Sequence, residues 1–502
     1  MKSLKLQTLF TSVAMLVQNI FGFLFGILLS RFFLSNPSVV DTFYISYNIY
    51  LLFNMFSATQ RVSILSIFKA DTTAREIAGV SLRIYLLFFV LTVSLALLSP
   101  FISFLYLGAT AYASVLRDLL LLFALVVFFQ GLNGYYSAYL SSKRELNYIS
   151  WGNIIGSGLG LCCFIALHRF GIYAAAIGFL VTHTFMYCFF LAKSDLPIHD
   201  LFSSCNLAYG KGISTRVLQS AAPYLGFNFS FLITQNALKT MDKGFITAFS
   251  YAYSLVILIT AATTGSIGYT LSIKLAELKS KRSPEQILQY ISDRVLVTLL
   301  LFSVLLGVLL VSTQPIGIFM FAYIPKNVDA GFSSLMVDTF SESAFFLSFS
   351  GFCLGLFTIT IPVNFAYANT KGFFRYTVVI LLLHLLAIMT LNMSYRYISG
   401  LFILSSFLLF AYQPIRMLQL FDRKQMLHFF ITLLKIFFSF YTSVHLTSLY
   451  RPIIQNKFMD IFIFAALKSI LFVTIYTILF VLAFPTKVKV IYSKYRRDYG
   501  KL

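Results

Sequence analysis

The residues that could do chemistry in this chain are few, and most stand in apolar surroundings. Arg61 lies eight residues before Lys69 within an apolar run, about 12 Å into a helix that rises 1.5 Å per residue. A guanidinium keeps its proton, so it must face water, an anion or a carboxylate, and its planar fork suits phosphate oxygens. Asn54 precedes it by seven residues, two turns away on the same face. The pair would present donors to a phosphate-bearing ligand in a cavity; the blander reading is an arginine snorkelling to the headgroups. Arg31 and Asp41 flank a short connection and would pair with each other, as a plain rim salt bridge, or line a gate. Asp338 and Glu342 are spaced i,i+4, which puts both carboxylates on one helix face. They would bind Na⁺ or H⁺ for coupling, or simply be solvated at a helix end. Lys239, Asp242 and Lys243 read as loop charges, Lys435 and Lys468 as snorkelling lysines near span ends. His183 and His384 read as packing residues rather than proton relays.

No phosphate-binding loop, nucleophile elbow or HExxH motif occurs. ATP hydrolysis by this chain is excluded, and no enzyme activity is expected. The five cysteines form no CxxC or CxxH cluster, so neither a disulfide framework nor a zinc site is expected, and no cofactor is called for.

The elements that must position these residues follow from composition. Of 502 residues, 59% are hydrophobic and 11% charged, against about 45–50% and about 25% in soluble domains. So little charge cannot cover so apolar a core, and a soluble enzyme is ruled out. The net charge of +21 fits cationic cytoplasmic loops and contact with anionic phospholipids better than nucleic acid. With one Trp in the chain, an interfacial belt must be built from Tyr. Lys2 and Lys5 precede an apolar stretch that runs to Arg31 with no small-x-small cleavage site, which reads as a retained first helix.

Hydropathy predicts an all-α polytopic membrane protein with about fourteen transmembrane segments, from residues 8–30 to residues 459–484. With the N-terminus inside and strict alternation, 26 Lys and Arg fall at inner ends and 9 at outer ends. That asymmetry satisfies the positive-inside rule with both termini cytoplasmic. Ala138-Tyr-Leu-Ser-Ser-Lys143, continuing to Tyr148, aligns with Ala366-Tyr-Ala-Asn-Thr-Lys371, continuing to Tyr376. The copies follow segments 4 and 10, so the halves share orientation as a parallel repeat. The expected organisation is a six-helix lobe over 1–193, a cytoplasmic linker over 194–214 and a second six-helix lobe over 215–420. Two additional helices over 421–486 and a basic tail over 487–502 complete it.

The stretch from Ser12 through Asn19 and Gly22 to Arg31, followed by Val40-Asp41-Thr-Phe-Tyr, resembles the opening of the MurJ (MviN-type) lipid II flippases of the multidrug/oligosaccharidyl-lipid/polysaccharide exporter superfamily. Val217-Leu-Gln-Ser-Ala-Ala-Pro223, Tyr251-Ala252 and Asn369-Thr-Lys371 add to the likeness. The resemblance implies two lobes that open alternately and carry a polyprenyl-pyrophosphate-linked sugar across the bacterial inner membrane. That family places cavity arginines on segments 1, 2 and 8, where this chain has Asn19, Phe25, Asn54 and Ser254. Arg61, below Asn54, would partly replace them, with Asn19 and Ser254 as further substrate contacts. The expected function is a flippase for lipid II or a related lipid-linked glycan, acting as a monomer and coupled to Na⁺ or H⁺. An O-antigen or exopolysaccharide precursor flippase and a cation-coupled multidrug exporter remain as alternatives. A membrane-embedded glycosyltransferase would need a larger outer loop than the roughly 25 residues available here.

Overall fold

The computed structural model describes residues 4–65, 74–143, 145–194, 213–238, 244–260, 284–325, 329–366, 372–390, 395–417, 423–449 and 458–484, with 263, 264, 271 and 275. In lipid every backbone polar group must be satisfied within its own segment, and apolar runs of this length do so as helices. Fourteen helices of 16 residues or more form among the described residues. The first six are α1 (Leu4–Phe33), α2 (Pro37–Leu65), α3 (Ala74–Leu107), α4 (Ala111–Ser142), α5 (Leu146–Leu167) and α6 (Tyr173–Lys193). The next six are α7 (Ile213–Leu238), α8 (Phe245–Thr260), α9 (Pro284–Val311), α10 (Ala330–Ala366), α11 (Phe373–Thr390) and α12 (Tyr395–Met417). Last come α13 (Arg423–Ser448) and α14 (Phe458–Ala483).

Nine of these are long and apolar enough to cross a membrane unaided, and α9 makes a tenth with the segment after it. The other four are α2, α7, α8 and α12. Of these, α2 and α7 carry more polar residues, among them Asn48, Asn54, Asn228 and Gln235. They pack against each other, so part of that polarity faces protein instead of lipid.

The helices build two lobes with one packing scheme. In the first lobe α4 packs on α2, α3 and α6, and α5 on α1 and α6. In the second α10 packs on α8, α9 and α12, and α11 on α7 and α12. Each contact recurs six helices later, as the parallel repeat requires. Helices α13 and α14 pack on each other and on α9. The linker and the basic tail lie outside the described residues apart from Ser194, Ile213 and Ser214.

Packing between helices in lipid depends on close approach, because lipid is as apolar as the side chains. On α5, Gly152, Gly156 and Gly160 recur every fourth residue and bring α6 so near that a Cβ at Gly160 would collide with Thr182 and the Gly178 carbonyl. The first lobe is otherwise filled by aromatic rings. Phe25 stacks near Phe164 at 4.5 Å and Phe179 at 4.9 Å; Tyr50 lies 5.2 Å from Phe123.

After α9 the chain bends by 60° into Thr313–Tyr323, whose second half, Ile318–Tyr323, is a π-turn. That segment lies across the end of the bundle where α2 and α8 begin. Its Phe321 ring sits 5.5 Å from Tyr251 on α8 and 5.7 Å from Phe340 on α10.

Candidate translocation cavity and its closure

A cavity of about 290 Å³ lies between the first lobe and α8. Helix α1 lines it with Asn19 and Phe25, α2 with Tyr44 and Tyr47, α6 with His183, and α8 with Tyr251 and Ser254. Two of the residues expected at a cavity, Asn19 and Ser254, are therefore brought together. Asn19 Nδ2 also donates to the Leu258 carbonyl of α8 at 3.4 Å, crossing between the lobes. Phe25, at a position where the resemblance would put arginine, belongs to the aromatic cluster with Phe164 and Phe179.

Asn54 is not part of this lining. Its Oδ1 accepts from Gln130 Nε2 of α4 at 2.7 Å, inside the first lobe. Arg61 has its backbone in α2, and its side chain lies outside the described residues.

Where α2 and α8 begin, the lobes are tied together. Asp41 Oδ2 accepts from the Gly244 backbone N–H at 3.1 Å, and Oδ1 accepts from the Thr247 backbone N–H at 2.9 Å and from the Thr247 hydroxyl. The carboxylate thus caps the N-terminus of α8, where unpaired N–H groups and the helix dipole favour negative charge. Gly244 sits at φ +92°, a left-handed turn that a side chain would strain. It has no side chain with which to cap the helix itself.

One to two turns further along α2 and α8, and at the facing end of α1, the tie continues. The Ser30 hydroxyl donates to the Tyr251 hydroxyl at 2.8 Å, and Tyr251 donates to the Gly26 carbonyl at 2.6 Å. Asn48 Nδ2 donates to Ser250 Oγ at 3.2 Å, and Gln235 Nε2 of α7 reaches the same oxygen at 3.4 Å. Tyr44 lies edge-on to Tyr251 at 5.1 Å, and Phe321 closes over Tyr251 from the bent segment. The expected pairing of Asp41 with Arg31 is not what the structure holds. Arg31 is exposed, and both Asp41 oxygens are engaged by α8.

The acids expected to serve coupling lie elsewhere. Asp338 is exposed and lines a groove of about 780 Å³ between α9, α10, α13 and α14; Glu342, one turn on, is half-buried. Lys468 lines the same groove and is only 8% exposed, with its Nζ 4.8 Å over the Phe464 ring. It does not snorkel, because α14 begins at Phe458 and packs this face on α9, which leaves the lysine inside the seam. Lys435 is exposed and donates to the Ala483 carbonyl at 3.4 Å, as a snorkelling lysine does at a helix C-terminus. Among the described residues no group of His, Cys, Asp and Glu is placed to hold a metal ion.

No family model matches the chain, and no curated protein matches its sequence. Solved structures do match. The lipid II flippase MurJ in an inward closed conformation superposes with a TM-score of 0.66 at 15% identity, over 95% of this chain and 99% of that one. The chain has the MurJ fold. An inward-facing multidrug resistance MATE family transporter of the MOP superfamily matches with a TM-score of 0.62 at 15% identity, over 80% of this chain and 95% of its own. A MOP superfamily transporter from Pyrococcus furiosus matches with a TM-score of 0.57 at 15% identity, over 82% and 96%. At such identities the likeness is one of fold. The MurJ fold accounts for nearly the whole chain, whereas the MATE comparison leaves about a fifth of it uncovered.

Within this MurJ fold, Asp41 was readable from sequence but Gly244, Thr247, Ser250 and Tyr251 were not assigned roles. One signal was present: a glycine, Gly244, immediately precedes α8, which leaves a buried helix N-terminus in need of a carboxylate from another element.

Proposed function

We propose that this protein is an alternating-access flippase that moves a polyprenyl-pyrophosphate-linked sugar, lipid II or a related lipid-linked glycan, across the bacterial inner membrane. The observation that carries this reading is a MurJ fold over 95% of the chain whose two lobes are latched at one end, above a cavity, by Asp41. The polar headgroup would cross through the cavity while the lipid tail stays in the bilayer. A volume of about 290 Å³ is at the small end for ligand sites, in keeping with a latched state that must open to admit cargo. By the positive-inside asymmetry the latch faces outward and both termini are cytoplasmic. The protein acts as a monomer, with the basic tail on anionic phospholipid and Na⁺ or H⁺ as coupling ion. Asn19 and Ser254 contact the headgroup, and Arg61, deeper on α2, meets its phosphates.

One observation favours a second reading. The described lining is aromatic, with no lysine, arginine or carboxylate, which also suits export of a small amphipathic compound. Depleting the protein in its host and quantifying lipid-linked precursors on each leaflet separates the two. Accumulation of lipid II, or of another polyprenyl-linked glycan, on the cytoplasmic leaflet is the expected result. Unchanged precursors with increased sensitivity to amphipathic drugs would replace the flippase by an exporter.

A further inference from the structure

The first lobe contains a polar seam between α2, α4 and α6 that the latch and the cargo contacts do not use. Tyr50, Asn54 and Ser57 stand at i, i+4 and i+7 on α2; Gln130, Asn133 and Tyr136 stand at i, i+3 and i+6 on α4; His183 and Tyr187 are one turn apart on α6. These side chains meet in three groups. In the first, His183 Nε2 lies 3.3 Å from the Tyr50 hydroxyl, and Nδ1 lies 3.5 Å from Asn133 Nδ2, which donates to the His183 carbonyl at 3.0 Å. In the second, Gln130 Nε2 donates to Asn54 Oδ1 at 2.7 Å, and the Ser57 hydroxyl donates to the Gln130 carbonyl at 2.8 Å. In the third, the Tyr85 hydroxyl bonds those of Tyr136 and Tyr187 at 2.9 and 3.0 Å. Tyr136 and Tyr187 stand about one turn past Asn133 and His183, away from the Asp41 end of the bundle.

His183 stands at the cavity end of this seam. Among the described lining residues it is the sole member of the Asp, Glu, Lys, Arg and His group. The Tyr50 hydroxyl faces it from α2, with Tyr47 beside it, and Tyr251 and Tyr253 stand across the cavity on α8; α5 carries no charged residues, and those of α4, Arg117 and Asp118, lie in its first turns, fifteen or more residues before Asn133. An imidazolium has two N–H donors and needs two acceptors. The Tyr50 hydroxyl is one. The other is at hand, because Asn133 Oδ1 is buried with no hydrogen-bond partner, and rotation of that amide, which gives up the Nδ2 bond to the His183 carbonyl, turns it toward Nδ1. His384 differs: its nitrogens meet Ser405 and Thr234 within the second lobe, and it lines neither described cavity.

We propose that His183 is the proton-binding site of this transporter, and that its protonation is read out by α2. That helix carries both Tyr50, which holds the ring, and the residues that hold α8, namely Asp41, Tyr44 and Asn48. The neutral ring takes a proton from cavity water, Asn133 rotates to accept from it, and α2 shifts against α8. This deepens the transport reading and rests on it.

The test uses spin labels at Ser35 and Ser334, exposed positions beside the latch on the first and second lobes, in a cysteine-free background. Inter-label distances are followed between about pH 3 and pH 8 in the purified full chain. The expected result is a shift between two distance populations of at least about fivefold, absent in H183Q. Tyr50→Phe keeps the ring stack on Phe123, removes the Nε2 partner and displaces the midpoint without abolishing the titration; it serves as the second variant if H183Q does not fold. A wild type insensitive to pH, or an H183Q profile identical to wild type, overturns the proposal. Flux of a fluorescent polyprenyl-pyrophosphate disaccharide in proteoliposomes separates the two readings. Flux with unchanged pH dependence in H183Q retires the proton site and leaves the cargo standing. A His183-dependent distance change with no flux of that probe keeps the proton site and retires the cargo.

Discussion

Asp41 gathers three donors from a helix more than two hundred residues away in sequence, and its value to the protein depends on the state of the lobes. While they are closed, the carboxylate offsets the N-terminal dipole of α8 and satisfies two orphan N–H groups; once they part, α8 must find water instead. Hydrogen bonds to a charged group contribute about 1.5–3 kcal/mol each. Asp41→Asn keeps one acceptor and puts an NH₂ against the Gly244 N–H, so the open population should rise by about tenfold. The same labels at Ser35 and Ser334 would report it as growth of the longer distance, and an unaltered distribution would remove Asp41 from the latch. Little of this was legible in the sequence. A carboxylate after a short connection is visible as a residue that matters, but its partner is set by which helices the fold brings together, and no local periodicity encodes that. Asn54 shows the converse: its spacing from Arg61 suggested a shared face, yet Gln130 claims it within the lobe.

At the scale of elements, the hydropathy pattern carried most of the information, because a helix in lipid has to satisfy its backbone and match the bilayer. All fourteen predicted segments correspond to helices, including the polar α2 and α7. The bent segment Thr313–Tyr323 went unassigned because its apolar run, Ile316–Tyr323, is too short to span. The Gly152-Gly156-Gly160 ladder, which the hydropathy pattern does not register, carries a sharp expectation. Gly160→Ala must push α5 off α6 against Thr182 and the Gly178 carbonyl, at a cost of about 1–3 kcal/mol. Gly400→Ala, with nothing within 4 Å of the new methyl, should leave stability unchanged or slightly improved. Thermal unfolding of both variants in detergent, followed by size-exclusion chromatography, checks the contrast; equal losses would mean that the glycine ladder does not set the α5–α6 distance.

For the whole molecule, the proposed orientation rests on where 38 Lys and Arg are distributed, and it can be read directly. Cysteines placed at Thr110 and Ser142, exposed positions at opposite ends of α4, should react oppositely with a membrane-impermeant maleimide applied outside the cell: Thr110→Cys modified, Ser142→Cys protected. The reverse pattern would invert the molecule and with it the direction of the latch. The two-lobe plan was legible because a parallel repeat leaves traces in spacing, and the packing scheme recurs six helices on. The latch has a further consequence for biogenesis. Asp41 enters the membrane early, and its partner Gly244 is separated from it by 203 residues, about 10–40 s of synthesis at ordinary elongation rates. During that interval the carboxylate stands without the helix end that stabilises it. The first lobe must therefore persist as a half-protein, and its internal bonds allow this, since the Tyr50–His183–Asn133 layer is complete once α6 is made. Arrival of α8 then converts a tolerated charge at the membrane edge into the fastening between the lobes, so the same contact that closes the cavity also marks the completion of assembly.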